Sequence, residues 1–234
     1  MTLRNRQLRF GHALKLLGMF LLLALLPMTL AAGQGGPPGK VPPVQTFDYH
    51  DFGSGQTTQR VFAVSNGDGV TQVIEDIARA PGYVFVTRSY WSGPLRLRYS
   101  VYTFMPTETD LLMASEEAYD GDGTLLHSSD YQPPLSIRQS SMPLGALQGS
   151  AAVRLRTPAG SPDIFEQGTT RWNVALGLDD VSVPYGELAG CLRLLEQHNS
   201  TLRMIWFYPG IGPVQRVQSD NGPIWTLTGC TGCP

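Results

Sequence analysis

Between Val181 and Cys230 the chain leaves room for little except antiparallel strands. Val181-Ser-Val-Pro-Tyr-Gly186 leads into the apolar run Leu188 to Leu195, and Leu202-Arg-Met-Ile-Trp-Phe-Tyr208 follows, ending at Pro209-Gly-Ile-Gly212. Two shorter runs, Val214 to Gln218 and Ile224 to Thr228, come after. Each is four to eight residues long, rich in β-branched or aromatic side chains, and bounded by Gly, Pro, Asn or Asp. That pattern predicts consecutive short strands.

The same punctuation runs through the preceding part. Thr57 to Val64 reads as a strand, and Asn66-Gly67-Asp68-Gly69 is a hairpin signal, because Asn-Gly and Asp-Gly accept the positive φ of tight turns. Val70 to Ala78 fits two readings. Glu75 and Arg79 stand at helical spacing beside an apolar stripe, whereas the hairpin in front favours a strand. The runs Tyr83 to Trp91 and Leu95 to Phe104 flank Ser92-Gly-Pro94. In the second, Leu95, Leu97, Tyr99, Val101 and Thr103 share one face and Arg96 and Arg98 the other, the alternation of a half-buried strand with its apolar side on a core.

Further runs are Leu111 to Tyr119, Leu125 to Tyr131, Val153 to Arg156 and Thr169 to Leu178; Gln132-Pro-Pro-Leu135 and Met142-Pro-Leu-Gly145 read as irregular. About ten strand-like runs and no helix beyond two turns predict an all-β fold. It would be an antiparallel, strongly curved sheet or half-open barrel.

Ahead of this domain, residues 1–32 have the layout of a secretory signal peptide. Arg4, Arg6, Arg9 and Lys15 precede an apolar helix-forming stretch, Leu16 to Leu26, and small residues follow at Ala31-Ala32-Gly33. The apolar stretch is shorter than the ~20 residues of a spanning helix, which favours cleavage over an uncleaved anchor. The expected location is therefore periplasmic or extracellular, with membrane contact only through the signal segment before cleavage. Residues 33–46 are a Gly/Pro-rich linker, and 47–234 are expected to form one domain.

The first 33 residues hold four of the 17 basic side chains and none of the 19 acidic ones, leaving a net charge near −6 beyond them and one lysine, Lys40. Nucleic acid and anionic membrane surfaces require clustered cations, so neither is an expected partner.

Several of these segments together resemble a known family. They are the aromatic opening Phe47 to Gly53, Tyr131 to Leu135, Pro143 to Gly145, the Val-Ser-Val-Pro-Tyr-Gly stretch, a Cys, and Phe207-Tyr-Pro-Gly-Ile-Gly-Pro-Val214. The set resembles exported bacterial domains of unknown function, built on a β-sheet curved like that of the periplasmic lipoprotein carriers. The resemblance implies a fold and an export route, and it brings no reaction with it.

Motifs that could carry chemistry are sparse. Cys191, Cys230 and Cys233 are the only cysteines, and in an oxidising compartment Cys191 is expected to bridge to Cys230 or Cys233. Cys230-Thr-Gly-Cys233 has redox spacing, but with only Pro234 after it no helix is expected to follow and lower a thiol pKa. Asp120-Gly-Asp122-Gly begins like a calcium loop, yet Leu125 and Tyr131 stand where that loop needs Gly and Glu. Asp179-Asp180 reads as a polar strand entry, and His50, beside Asp51, as a hydrogen-bonded surface histidine. No catalytic residue, metal site or cofactor is expected, nor any H-E-x-x-H or G-x-S-x-G.

The remaining candidates are aromatic. Trp206 and Tyr208 share one face of their strand, and with Trp172 and Tyr99 they are the side chains expected to line an apolar pocket. The leading expectation is a non-catalytic exported module that binds a lipid, another amphiphile or an envelope protein. A solid-cored structural component of the envelope and an enzyme with a dispersed site are the alternatives.

Overall fold

The computed structural model describes residues 56–139 and 143–233. They form twelve strands: β1 (Gln59–Ser65), β2 (Gln72–Ala80), β3 (Tyr83–Ser92), β4 (Leu95–Pro106), β5 (Asp110–Asp120), β6 (Leu125–Gln139), β7 (Leu147–Pro158), β8 (Phe165–Val183), β9 (Gly186–His198), β10 (Thr201–Tyr208), β11 (Gly212–Gln218) and β12 (Ile224–Thr231). Every strand pairs antiparallel with its sequence neighbours, and β12 returns to pair with β1, from Gln59 opposite Thr231 to Ser65 opposite Ile224. The result is an up-and-down barrel, all-β as expected, but closed rather than half-open and with twelve strands in place of about ten. Closure removes the free edges that a curved open sheet would carry. The expected signal segment and linker, and the opening segment with His50, lie outside the described residues.

Local chemistry explains the turns. Asn66 and Asp68 adopt positive φ of 56° and 45°, so the Asn-Gly-Asp-Gly stretch reverses the chain between β1 and β2. The stretch from Val70 therefore continues as a strand, Gln72–Ala80, and not a helix. The Asp120 turn closes on itself: its carboxylate accepts from the backbone N–H groups of Gly123 (3.1 Å) and Thr124 (2.8 Å). Gln132-Pro133-Pro134, expected to be irregular, lies inside β6. Prolines offer no ladder donor, and there the β5–β6 register slips between Met113 and Ser115.

The barrel interior is layered. Along β2 the inward side chains are Val73, Glu75 and Ile77, all buried. Val73 belongs to an apolar cluster with Phe62, Val181, Leu188, Ile211, Val214 and Leu227. Ile77 belongs to a second, with Val84, Val86, Phe104, Leu111, Leu135 and Ile137. Glu75 lies between the two. β3 repeats the order, with Val84 and Val86 in the second cluster, then Arg88, then Tyr90 packed against the first. A polar, charged layer is thus held between two apolar ones.

This layering corrects the sequence reading of β4. Ser100 and Phe104 are buried, Tyr102 packs against the second cluster, and Arg98 lines the interior, while Leu95 is 63% exposed. From Ser100 to Phe104 the strand presents the face opposite to the expected one, while at its start Leu97 and Arg98 both reach the cavity wall. Alternation told the two faces apart, but the polar interior reversed which one is inside.

The cysteine pairing also differs from the expectation. Cys230 and Cys233 are joined to each other, with Cα atoms 5.9 Å apart across the positive-φ turn at Gly232. Cys191 is fully buried in the first apolar cluster, and its thiol donates to the Leu188 carbonyl at 3.4 Å. The expected bridge assumed a sheet edge, which a closed barrel lacks, and β9 stands three strands from β12. Burial, then Asp180 and Asp179, push the Cys191 thiol up to about 11. Iodoacetamide under native conditions should therefore leave the protein unmodified, and in denaturant without reductant it should add one group, at Cys191. Peptide mass mapping checks both; three labelled thiols, or a Cys191 disulfide, would contradict this pairing.

Candidate ligand site in the barrel interior

The charged layer begins as a row of cross-strand neighbours. Arg60 on β1 stands opposite Glu75 on β2, and Glu75 opposite Arg88 on β3. Oppositely charged side chains that face each other across a ladder meet directly. The Glu75 carboxylate accepts from Arg88 through Nε (2.9 Å) and Nη2 (2.7 Å), and lies 2.8 Å from Arg60 Nη2. A third guanidinium, Arg216 on β11, comes within 3.6 Å. Burial pushes the Glu75 carboxyl up, but Arg60, Arg88 and Arg216 outweigh it and hold it well below the carboxylate range.

A second centre forms at Glu196 on β9. Arg203, its ladder partner on β10, donates to it at 3.2 Å, and Arg171 on β8 forms a short ion pair with its other oxygen. Burial opposes its ionisation; Arg171, Arg138 and Arg203 bring it down to about 2. His198, half-buried beside these cations and in contact with the Thr169 hydroxyl at 3.1 Å, is driven down to about 4 by burial and then by Arg171 and Arg203. On β5, Glu116 accepts from Arg154 at 3.0 Å.

Aromatic rings serve as plates for this cationic set. Arg88 lies 5.0 Å from the Tyr102 ring centre and 5.4 Å from that of Trp225. Arg216 covers Trp225 at 5.1 Å, Arg98 covers Tyr90 at 4.7 Å, and Arg138 lies 3.7 Å over Phe207. Guanidinium planes stack on such faces because they are flat and weakly hydrated.

Of these groups, Arg88, Arg171, Glu196, His198, Arg203 and Arg216 line a cavity of about 830 Å³ inside the barrel. Eight arginines reach its wall, against three carboxylates: Asp68, Glu116 and Glu196. Phe104, Met113, Ile137 and Ile205 supply apolar wall. The site is thus a cationic chamber with apolar sectors.

The four aromatic side chains singled out from the sequence stand elsewhere. Trp206 donates through Nε1 to Asp179 at 2.9 Å and borders a shallow depression with Leu178 and Gln215, on the strand face opposite Ile205 and Phe207. Tyr208 packs against the first apolar cluster. Trp172 is 43% exposed and stands opposite Gly149. Tyr99 stacks on Tyr119, its ladder partner, with ring centres 4.5 Å apart, and Arg96 lies against it. None of the four lines the cavity. The residues the sequence reading missed are Glu75, Arg88, Arg138, Arg171, Glu196 and Arg216. One signal was available: beyond residue 33 the chain has one lysine and twelve arginines, a bias that favours buried, stacked or bidentate cations over solvated ones.

Comparison of the chain with protein-family models, curated proteins and solved structures finds no match.

Two outcomes follow from the charge layer. Glu75→Gln should destabilise the barrel by roughly 3–5 kcal/mol in urea unfolding, because it leaves buried guanidiniums without their shared carboxylate. A loss below about 1 kcal/mol would be too small for a buried partner of this kind. Acid should destabilise in two stages. The folded-state pKa values of His198 and Glu196 both lie below their ordinary values of 6.5 and 4.5, so the unfolded chain binds more protons and stability rises with pH. Stability should fall from about pH 6.5 towards 4 through His198, and again from about 4.5 towards 2 through Glu196. His198→Gln should flatten the first interval, and urea midpoints at pH 7.5, 5.5 and 4 measure it.

Proposed function

We propose that this chain is an exported, non-catalytic β-barrel that takes an apolar or amphipathic ligand into its interior. The observation that carries this reading is the cavity itself. At about 830 Å³ it falls within the range of small-molecule and lipid-sized sites, and its wall joins apolar side chains to fixed polar groups. The resemblance to curved-sheet lipoprotein carriers and the basic-apolar leader support the same role outside the cytoplasm.

The two carboxylates at the centres of the charged layer are poorly suited to act as general bases. A general base works best with a pKa near the operating pH. Glu196 is instead held at about 2 and Glu75 lower, each tied to at least two guanidiniums. Cys191 is packed in an apolar cluster, away from the cavity wall. A membrane-spanning barrel is also a poor fit, since β1, β10, β11 and β12 have seven or eight residues where about nine to eleven are needed to cross.

Native mass spectrometry of the protein purified from its own envelope should show a bound small molecule. Organic extraction should release it and yield the apo mass. The reading fails if the purified protein carries nothing and dodecyl amphiphiles of anionic, neutral and cationic type all leave the fluorescence of Trp225, a cavity-wall residue, unchanged.

A further inference from the structure

Among the described residues, three arginines of the chamber wall, Arg98, Arg138 and Arg156, form no ion pair with a carboxylate, and of these only Arg138 is buried. Arg138 on β6 is 6% exposed, makes no ion pair among the described residues, and its Nε donor is buried without an acceptor. Phe207 covers one face of its plane at 3.7 Å, which fixes the plane's orientation but supplies no acceptor. Arg171 and Arg216, which line the same cavity, are among the charges that act on it most strongly, and each also has a buried Nε donor without an acceptor. Their own carboxylates are already shared: Glu196 serves Arg171 and Arg203, and Glu75 serves Arg60, Arg88 and Arg216. Glu196 attracts Arg138 from a distance but is ion-paired to Arg171 and Arg203, so Arg138 is a buried cation with no carboxylate in direct contact. That is costly, and each unsatisfied buried donor adds to the cost. Both deficits have the same remedy, an acceptor that carries negative charge.

We propose that Arg138, flanked by Arg171 and Arg216, is a receptor for an oxyanion, the carboxylate or phosphate headgroup of the ligand that occupies the cavity. This inference rests on the cavity-binding reading and names the ligand class. The Arg138 fork matches a carboxylate or phosphate in bidentate fashion, and the ring of Phe207 holds the fork in place before the ligand arrives. The apolar side chains of Met113, Ile137 and Ile205 in the same wall receive the hydrocarbon attached to the headgroup. The fixed positive charge rejects a cationic amphiphile of equal length.

Delipidated full-chain protein is titrated with dodecanoate, dodecyl phosphate, dodecyltrimethylammonium and a neutral dodecyl glycoside, each below its critical micelle concentration, and with inorganic phosphate. Trp225 fluorescence and calorimetry read the binding. The two anionic amphiphiles should bind, and R138Q should weaken them by about 10- to 100-fold, the range for losing charge-assisted hydrogen bonds. R138K, which keeps the charge but loses the fork, should fall between R138Q and the natural protein. The apo form of R138Q should unfold at an equal or higher temperature, because the substitution removes an unpaired buried cation; a residue with a merely structural role would show a loss instead. If the glycoside binds as well as dodecanoate and neither R138Q nor R138K changes affinity, the oxyanion receptor is overturned and the cavity-binding reading stands. If inorganic phosphate binds in an Arg138-dependent way and no dodecyl probe does, the receptor stands for a free anion and the amphiphile reading falls. Failure of every probe overturns both.

Discussion

The barrel depends on one buried carboxylate shared by three arginines. Glu75 sits on β2, Arg60 on β1, Arg88 on β3 and Arg216 on β11, so the group spans the seam where β12 meets β1. That seam needs a tie, because the neighbouring β11–β12 ladder pairs only from Gln215 to Val217. In its middle Arg216 stands opposite Trp225 and lies over its ring, so one side chain joins the thin ladder to the ion cluster. Buried ion pairs are weak evidence for net stability, since desolvation offsets much of the attraction. Their geometric demand is another matter. Only a closed barrel brings β2 and β11 within reach of one carboxylate, so the cluster favours closure over an open curved sheet.

The same cluster explains what could and could not be read from the sequence. Strand positions and turns were legible, because Asn66-Gly-Asp-Gly69 or the Pro209-Gly-Ile-Gly212 run fixes local geometry without help from distant residues. Val70 to Ala78 was legible through its preceding hairpin, although Glu75 and Arg79 imitate a helical pair. Glu75 in fact faces Arg60 and Arg88 across the ladders, and Arg79 donates to the Thr57 carbonyl at 2.7 Å. Closure was not legible, because nothing in β1 or β12 alone announces that the first strand pairs with the last. Nor was the inward face of β4. Sequence periodicity finds two faces, and the usual assumption that the apolar one is buried fails where the interior itself is charged. The cysteine pairing failed for a related reason: it was argued from an edge that closure abolishes.

The candidate site was hidden by averaging. Beyond residue 33 the chain is acidic overall, which argued against nucleic acid and anionic membrane surfaces, yet eight of its arginines line one chamber. Net charge governs long-range behaviour and solubility, whereas recognition is set by the local field within a concave, poorly solvated wall. Acidic side chains elsewhere on the surface offset the sum without neutralising the interior. Arginine is suited to this arrangement and lysine is not. Its plane stacks on Tyr102, Trp225, Tyr90 and Phe207, and its forked donors can divide between a carboxylate and a neighbour.

The interior layers then give the chamber a direction. On β2 the order is apolar, charged, apolar within five residues, from Val73 through Glu75 to Ile77, and β3 repeats it from Tyr90 through Arg88 to Val86. A ligand that is wholly apolar would leave the arginine layer facing hydrocarbon, and a small hydrophilic ion would leave the apolar wall wet. Only a molecule with both kinds of surface satisfies the two together. Carboxylates held ionised by their own arginines keep those side chains in place, and Arg138 is left as the buried arginine of the wall that no carboxylate contacts among the described residues.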